Sequence, residues 1–323
     1  MENKNILEVK NLKKYFPIYD GIIRRHVGDV KAVDGVSLDI EKGTTFSLVG
    51  ESGCGKSTTG RAIIRLLEAT SGEVFYKGKD ILLSSKSEMT ELRKEMQIVF
   101  QDPYSSLNPR MTISDTVGEA LVHHGLYNKG EELNEYIADT IEMCGLERYF
   151  CNRFPHEFSG GQRQRVGIAR ALALKPSFVV ADEPVSALDV SIQAQIINLL
   201  MNLQEKFGLS YLFISHDLSV VKYISDAIGV MYLGNIVETG KKEDIYKSSL
   251  HPYTQSLFSA IPIADPRQKT KKILLQGDIP SPANPPSGCK FHTRCMYAKS
   301  QCKEVCPELK DMGNGHKVAC HLV

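Results

Sequence analysis

The sequence predicts an α/β protein, a largely parallel sheet carrying helices, with a helical subdomain and a small cysteine-rich C-terminal extension. Three observations lead there. A glycine-rich break of the pattern G-x-x-x-x-G-K-[ST] falls between a strand-like and a helix-like segment. Short, wholly apolar runs then alternate with amphipathic stretches, as parallel strands buried on both faces do. Finally, five of the eight cysteines crowd the last 35 residues, beyond a proline-rich charged stretch. A length of 323 residues corresponds to roughly two average domains, and 42% hydrophobic residues is enough for ordinary cores. Lys+Arg 39 against Asp+Glu 38 gives a net charge of +1, without the basic excess of a general nucleic-acid binder, so no nucleic-acid partner is expected. Met1 to Lys10 alternate charged and apolar side chains with no apolar signal core, which argues against export. Nor does any run approach the ~18 apolar residues of a membrane span.

Taken in order, Val30 to Leu38 and Thr44 to Val49 read as strands, with Gly35 and Gly43 supplying turns. From Ser57, Ala62, Ile63, Leu66 and Leu67 recur at helical spacing until Gly72. Asp115 to Arg148 is mostly helical in pattern and is expected to form a separate lobe. A helix is expected over Gln162 to Leu174. Phe178 to Ala181 is a short apolar strand, and Ile192, Ile196, Leu199, Leu200, Leu203 and Phe207 trace one helix face closed by Gly208. Tyr211 to Ile214 and Ala227 to Tyr232 are further strands, the latter turning through Gly234-Asn235 into Ile236 to Glu238. After Ala260, Pro262, Pro266, Arg267, Lys269, Lys271 and Lys272, then Pro280, Pro282, Pro285 and Pro286, read as a linker. These features set expected boundaries at 5–260 for the main domain, with its helical lobe at about 102–175, and 261–323 for linker and cysteine module.

The chemistry starts at Gly50-Glu51-Ser52-Gly53-Cys54-Gly55-Lys56-Ser57-Thr58. Glycines let successive backbone N–H groups turn toward one anion, and the following helix adds its positive end. Lys56 is expected to reach the β- and γ-phosphates and Ser57 to ligate Mg²⁺. The Phe178 strand ends in Asp182-Glu183, which suits a division of labour: Asp182 holds Mg²⁺ and Glu183 polarises the attacking water as general base. Phe158-Ser159-Gly160-Gly161-Gln162 opens another helix with two glycines, either as an ordinary N-cap at Ser159 or as a second anion contact.

At Ser159-Gly160-Gly161-Gln162 the residues resemble the ATP-binding cassette (ABC) ATPase family, whose signature reads Leu-Ser-Gly-Gly-Gln; Phe158 stands in place of the leucine. The resemblance extends over roughly residues 5–260. It implies ATP and Mg²⁺ as ligands and further roles: an aromatic stacked on adenine, Phe16 or its neighbour Tyr15; Gln101 as the glutamine that senses γ-phosphate and Mg²⁺; Asp189 in an aspartate loop; and His216 as the switch histidine. It also implies that Ser159, Gly160 and Gly161 bind ATP held by the phosphate loop of another subunit, so that two copies sandwich two nucleotides.

The tail resembles the C-terminal extension of oligopeptide/dipeptide importer ATPases, with His251-Pro252-Tyr253-Thr254 leading a short helix. Within that family the chain looks like the F-type ATPase. The resemblance then implies a paralogous D-type ATPase mate, two transmembrane permeases and an extracytoplasmic peptide-binding protein, and a peripheral place on the cytoplasmic face of the membrane. Rival expectations are the ATPase of another solute importer, for nickel or a glycoside, and a soluble non-transport ABC protein. The cysteines are spaced C-x5-C-x6-C-x3-C-x13-C, without the C-x2–4-C knuckles of zinc sites. The resemblance implies a [4Fe–4S] cluster on Cys289, Cys295, Cys302 and Cys320 in some members; zinc, or no metal, are the alternatives, and Cys306 is a fifth cysteine beyond the set. The module is expected to hang apart from the ATP motifs, with too few apolar residues for a core of its own.

Overall fold

The computed structural model describes residues 4–22, 24–261 and 272–323. Pro262, Pro266, Arg267, Lys269 and Lys271 of the expected linker lie outside the described residues. The chain divides into two compact units, Met1–Glu41 with Thr45–Leu83 and Ser215–Val323, and Lys42–Thr44 with Ser84–Ile214.

The first unit opens with two long antiparallel strands, β1 (Asn5–Asp20) and β2 (Arg25–Glu41). Leu7 and Val9 of β1 are buried on one face, and so is Leu12, although the period of two would turn it outward. A bulge explains this: Asn11 takes a left-handed φ of 48° and the register shifts between Val9 and Leu12, returning the leucine to the core face. After β3 (Thr45–Val49) comes α1 (Lys56–Ile63), then β4 (Ser71–Tyr76), which pairs with β1, and β5 (Lys79–Asp80). The helix is shorter than its apolar period suggests. Arg65 adopts φ 55° and both Leu66 and Leu67 donate to the carbonyl of Arg61, a turn that ends the helix and leaves Leu66 45% exposed.

The second unit contains α2 (Lys86–Glu95), β6 (Met96–Val99), α3 (Ile113–His123), α4 (Glu131–Met143), α5 (Gly160–Leu172), β7 (Phe178–Asp182), α6 (Val190–Phe207) and β8 (Ser210–Ser215). Strands β6, β7 and β8 are parallel neighbours. Every residue of β7 is buried, which is why Phe178 to Ala181 read as a continuous apolar run. Ile113, Val117 and Leu121 of α3, Ile137 and Ile141 of α4 and Val166 and Ala169 of α5 are buried at helical spacing and form the helical subdomain's core. Gly208, in the left-handed region, closes α6.

The chain then returns to the first unit with α7 (Leu218–Ile224), β9 (Ala227–Tyr232), β10 (Asn235–Lys241), α8 (Lys242–Ser248), α9 (Pro252–Ser259), α10 (Ser300–Glu304), β11 (Lys310–Asp311) and β12 (Lys317–Val318). Strand β9 pairs parallel with β3 and antiparallel with β10. The cysteine module does not hang apart. Strand β12 pairs antiparallel with β10, Val318 is fully buried, and Phe291 is 1% exposed against Tyr232, Tyr253 and His251. Full burial of one such ring is worth roughly 1.5–3 kcal/mol, so the module borrows the first unit's core rather than building one. Among the described residues no helix is long and apolar enough to cross a membrane.

Candidate functional site

In the first unit, the turn between β3 and α1 is shaped by its glycines. Gly50, Gly53 and Gly55 have φ values of 153°, 78° and 106°. A Cβ on Gly50 would stand 2.2 Å from the Met231 carbonyl oxygen, and one on Gly55 would stand 2.1 Å from that of Ala32. Only glycine fits where the loop passes so close to backbone. Lys56 is 4% exposed and its ammonium donates to the carbonyls of Gly50 at 2.9 Å and Glu51 at 3.0 Å, folding over the loop it follows. The Thr59 hydroxyl donates to the Gly55 carbonyl, fixing the helix start. Cys54 is buried beneath the loop, where desolvation pushes its thiol up and keeps it inert.

Glu51 is held from two further directions. Its N–H donates to the Tyr253 hydroxyl at 2.9 Å, and its carboxylate accepts from both Arg294 nitrogens, at 2.7 and 3.1 Å. The support under Tyr253 is the His251-Pro252-Tyr253-Thr254 stretch. His251 Nδ1 accepts from the Tyr253 N–H and Pro252 occupies the first turn of α9. Burial pushes the His251 pKa down to about 4, so the ring stays neutral and able to accept. Beneath it Glu238, wholly buried, accepts from the N–H groups of Leu250 and His251 and pairs with His316 of the tail at 2.8 Å. The sequence shows this motif only as a helix start; its reach to the phosphate loop spans 202 residues and leaves no local pattern.

Of the two candidate adenine rings, Tyr15 turns its hydroxyl onto Asp34, which Lys290 also grips at 2.8 Å. Phe16, next along the strand and facing the other way, is 37% exposed with the Lys14 ammonium 4.9 Å from its centroid. His216 is exposed just after β8, ahead of the Asp217 cap of α7.

In the second unit, β7 delivers Asp182, fully buried, and then Glu183. Glu183 takes φ 45°, a left-handed conformation that costs a non-glycine residue of order 1–3 kcal/mol. Its N–H donates to the Ile214 carbonyl at 3.0 Å, its own carbonyl accepts from the Ser186 hydroxyl, and its carboxylate accepts from Gln101 Nε2 at 3.1 Å. Gln101 is exposed, and the segment after it is tied to α5. Arg163 lies 3.6 Å over the Tyr104 ring while donating to the Pro155 carbonyl, and Arg170 donates to the Ser106 carbonyl. These two arginines were not singled out from the sequence, where they look like ordinary helix charges.

Ser159 forms a reciprocal capping box with Gln162, so the plain N-cap reading of that serine is correct as far as local structure goes. Gly161 has a tighter constraint: a Cβ there would stand 2.5 Å from Ile192 Cγ2 on α6. Asp189 caps α6, accepting from Ser191 and from the Ile192 N–H, bonds that hold its carboxyl below the usual range.

The tail cysteines gather in the first unit. Cys289 donates its N–H to the Cys302 carbonyl, and Cys302 Sγ accepts from the Lys299 N–H. Burial, with Cys302, Cys320 and Cys295 nearby, pushes the Cys289 thiol up to about 11; burial and the neighbouring thiols raise Cys295 and Cys320 as well. Cys306 is exposed, against the Pro307 carbonyl. Among the described residues no three His, Cys, Asp or Glu side chains are drawn together as a single metal ion requires.

Comparison with known proteins agrees with this geometry. Residues 33–186 match the ABC transporter family and residues 237–302 match the oligopeptide/dipeptide transporter C-terminal region. The chain is 56% identical over 322 residues to the oligopeptide transport ATP-binding protein AppF of Bacillus subtilis (strain 168), covering 99% of this chain and 98% of that one. Similar solved structures include the dimeric post-hydrolysis state of the ATP-binding cassette MJ0796 bound to ADP and Pi (TM-score 0.63, 30% identity, 73% of this chain and 98% of that chain). The ADP conformation of the cassette MJ1267 is also similar (TM-score 0.64, 28% identity, 80% and 100%).

Proposed function

The chain belongs to the family of ABC transporter ATP-binding proteins, and on that premise we propose that it is the ATP-hydrolysing subunit of a peptide importer. It converts ATP and water to ADP and phosphate and couples this to uptake of oligopeptides or dipeptides. The observation that carries peptides over other solutes is the C-terminal stretch 237–302, matched to the oligopeptide/dipeptide transporter region. The partners in this reading are two transmembrane permeases, a D-type ATPase and an extracytoplasmic peptide-binding protein, with the chain peripheral on the cytoplasmic face.

The residues divide the work. Phe16 stacks on adenine, a reading supported by its exposure and by the tie between Tyr15 and Asp34. The backbone N–H groups of the Gly50–Thr58 loop cradle the phosphates, apart from that of Glu51, which is bonded to Tyr253, and Lys56 binds the β- and γ-oxygens. Ser57 of the first unit, and Asp182 and Gln101 of the second, are the residues that would hold Mg²⁺, which would supply charge neutralisation at the phosphate oxygens. Glu183 accepts the proton of the attacking water, with Gln101 fixing one carboxylate oxygen, and His216 is the switch residue at the γ-phosphate. Ser159, Gly160, Gly161 and Gln162, with Asp189, serve the nucleotide held by the partner ATPase; the dimeric form of the MJ0796 cassette supports that arrangement.

The test is reconstitution of the chain with the two permeases and D-type mate in vesicles. Peptide-loaded binding protein is expected to stimulate ATP turnover and drive peptide uptake. Stimulation by nickel or a glycoside instead would reassign the substrate, and full turnover without any membrane subunit would point to a non-transport ABC protein.

For the tail we infer a [4Fe–4S] cluster on Cys289, Cys295, Cys302 and Cys320. The donor set is four soft thiols near enough to influence one another electrostatically, with Cys306 outside it. Zinc, whose Zn–S bonds of about 2.3 Å would draw the sulfurs closer than a cluster does, is the alternative. The cluster's contribution here is a cross-link that fixes the turn before α10 to the chain end. Protein purified without oxygen is expected to be brown with about four irons per chain, and Cys306→Ser should keep them. Stoichiometric zinc with no visible absorbance would decide against the cluster.

A further inference from the structure

A glutamate is a poor neighbour for a triphosphate. Glu51 follows the first glycine of a loop whose backbone donors and Lys56 are arranged for an anion, and its carboxylate would oppose the same charge that the loop attracts. The structure answers that conflict from the far end of the chain. Arg294 makes a two-pronged bond to Glu51, at 2.7 and 3.1 Å, with its side chain only 7% exposed. It is placed by the turn in which the Arg294 N–H donates to the Phe291 carbonyl, and its guanidinium lies 5.9 Å from the Tyr232 ring centroid. Phe291 is itself locked against Tyr232 and Tyr253, and Tyr253 accepts from the Glu51 N–H. Glu51 is therefore fixed in position and neutralised by one continuous block made of α9 and the cysteine module.

We propose that Arg294 is a positioning residue of the nucleotide site, which cancels the Glu51 carboxylate and aims it away from the phosphates, so that the tail sets the affinity of the phosphate loop for MgATP. The planar fork matters as well as the charge. A lysine would neutralise Glu51 without holding both oxygens. The buried geometry keeps the pair little screened by salt.

This rests on the reading that MgATP binds at Lys56, so Lys56→Ala is measured alongside: retained binding in that variant would refute the site, whatever Arg294 does. The experiment is equilibrium binding of a fluorescent ATP analogue with Mg²⁺ to the full-length chain and to Arg294→Ala, Glu51→Gln and the double variant, with thermal unfolding recorded for each. Arg294→Ala is expected to weaken binding about tenfold, equivalent to about 1.4 kcal/mol. The double variant should bind more tightly than Arg294→Ala and match Glu51→Gln, because no carboxylate is left to mask. Arg294→Lys should fall between. If Arg294→Ala fails to fold, the Lys substitution with and without Glu51→Gln carries the same comparison. Unchanged affinity in the Arg294 variants, or a double variant as weak as Arg294→Ala alone, would overturn the proposal; the second result would mean that the arginine only braces the tail.

Discussion

Replacing Glu183 with Gln is expected to leave ATP bound and its hydrolysis lost, by about 10²–10⁴-fold in a single-turnover measurement on the assembled transporter. The glutamate backbone is pinned by Ile214 and Ser186 in a left-handed conformation that a glutamine adopts at the same cost, so the side chain keeps its place. An amide keeps the shape and can still pair with Gln101, but it does not accept a proton from water. In the proposed mechanism nucleotide binding rests on the phosphate loop and Lys56, which the substitution does not touch. Turnover near that of the unaltered chain would remove Glu183 from the role of base.

Gly161→Asp is expected to disable a different site from the one this chain binds with its own loop. The new Cβ would stand 2.5 Å from Ile192 Cγ2, so Ile192 must turn aside, at a cost of about 1–3 kcal/mol, and a carboxylate would be added to the helix start proposed to meet γ-phosphate. In a complex with an intact D-type mate, hydrolysis at the mate's nucleotide should fall at least about a hundredfold, while photolabelling by an azido-ATP at this chain's Lys56 loop persists. Gly161→Ala separates the two causes, since it brings the crowding without the charge and should lose less. Equal and normal turnover at both sites of the Gly161→Asp complex would sink the sandwich arrangement.

The two units differ in how openly the sequence displays them. Strand β7, apolar up to Asp182 and followed by Glu183, and helix α6, with its buried stripe closed by Gly208, lie in the sequence as they lie in the structure. The long β1–β2 pair was legible only in part, because the bulge at Asn11 breaks the alternation a strand is recognised by. Helix α1 was overextended for the converse reason: its apolar spacing runs on to Leu67 after the backbone has turned at Arg65.

What the sequence alone determined is the set of ATP motifs. The phosphate loop, the acidic strand end and the Ser159 helix start each depend on residues within a few positions of one another, where glycine φ angles, capping and periodicity act directly. The tertiary structure alone decided which tail residues meet the Gly50–Thr58 loop. The sequence shows Glu51 in the Gly50–Thr58 loop without indicating a partner for it among 39 lysines and arginines. Arg294, 243 residues away, was selected by the burial of Phe291, by β12 joining β10, and by the Glu238–His316 pair. Charge pairing and hydrophobic burial over such separations carry no period, so only the folded chain identifies which side chains they bring together.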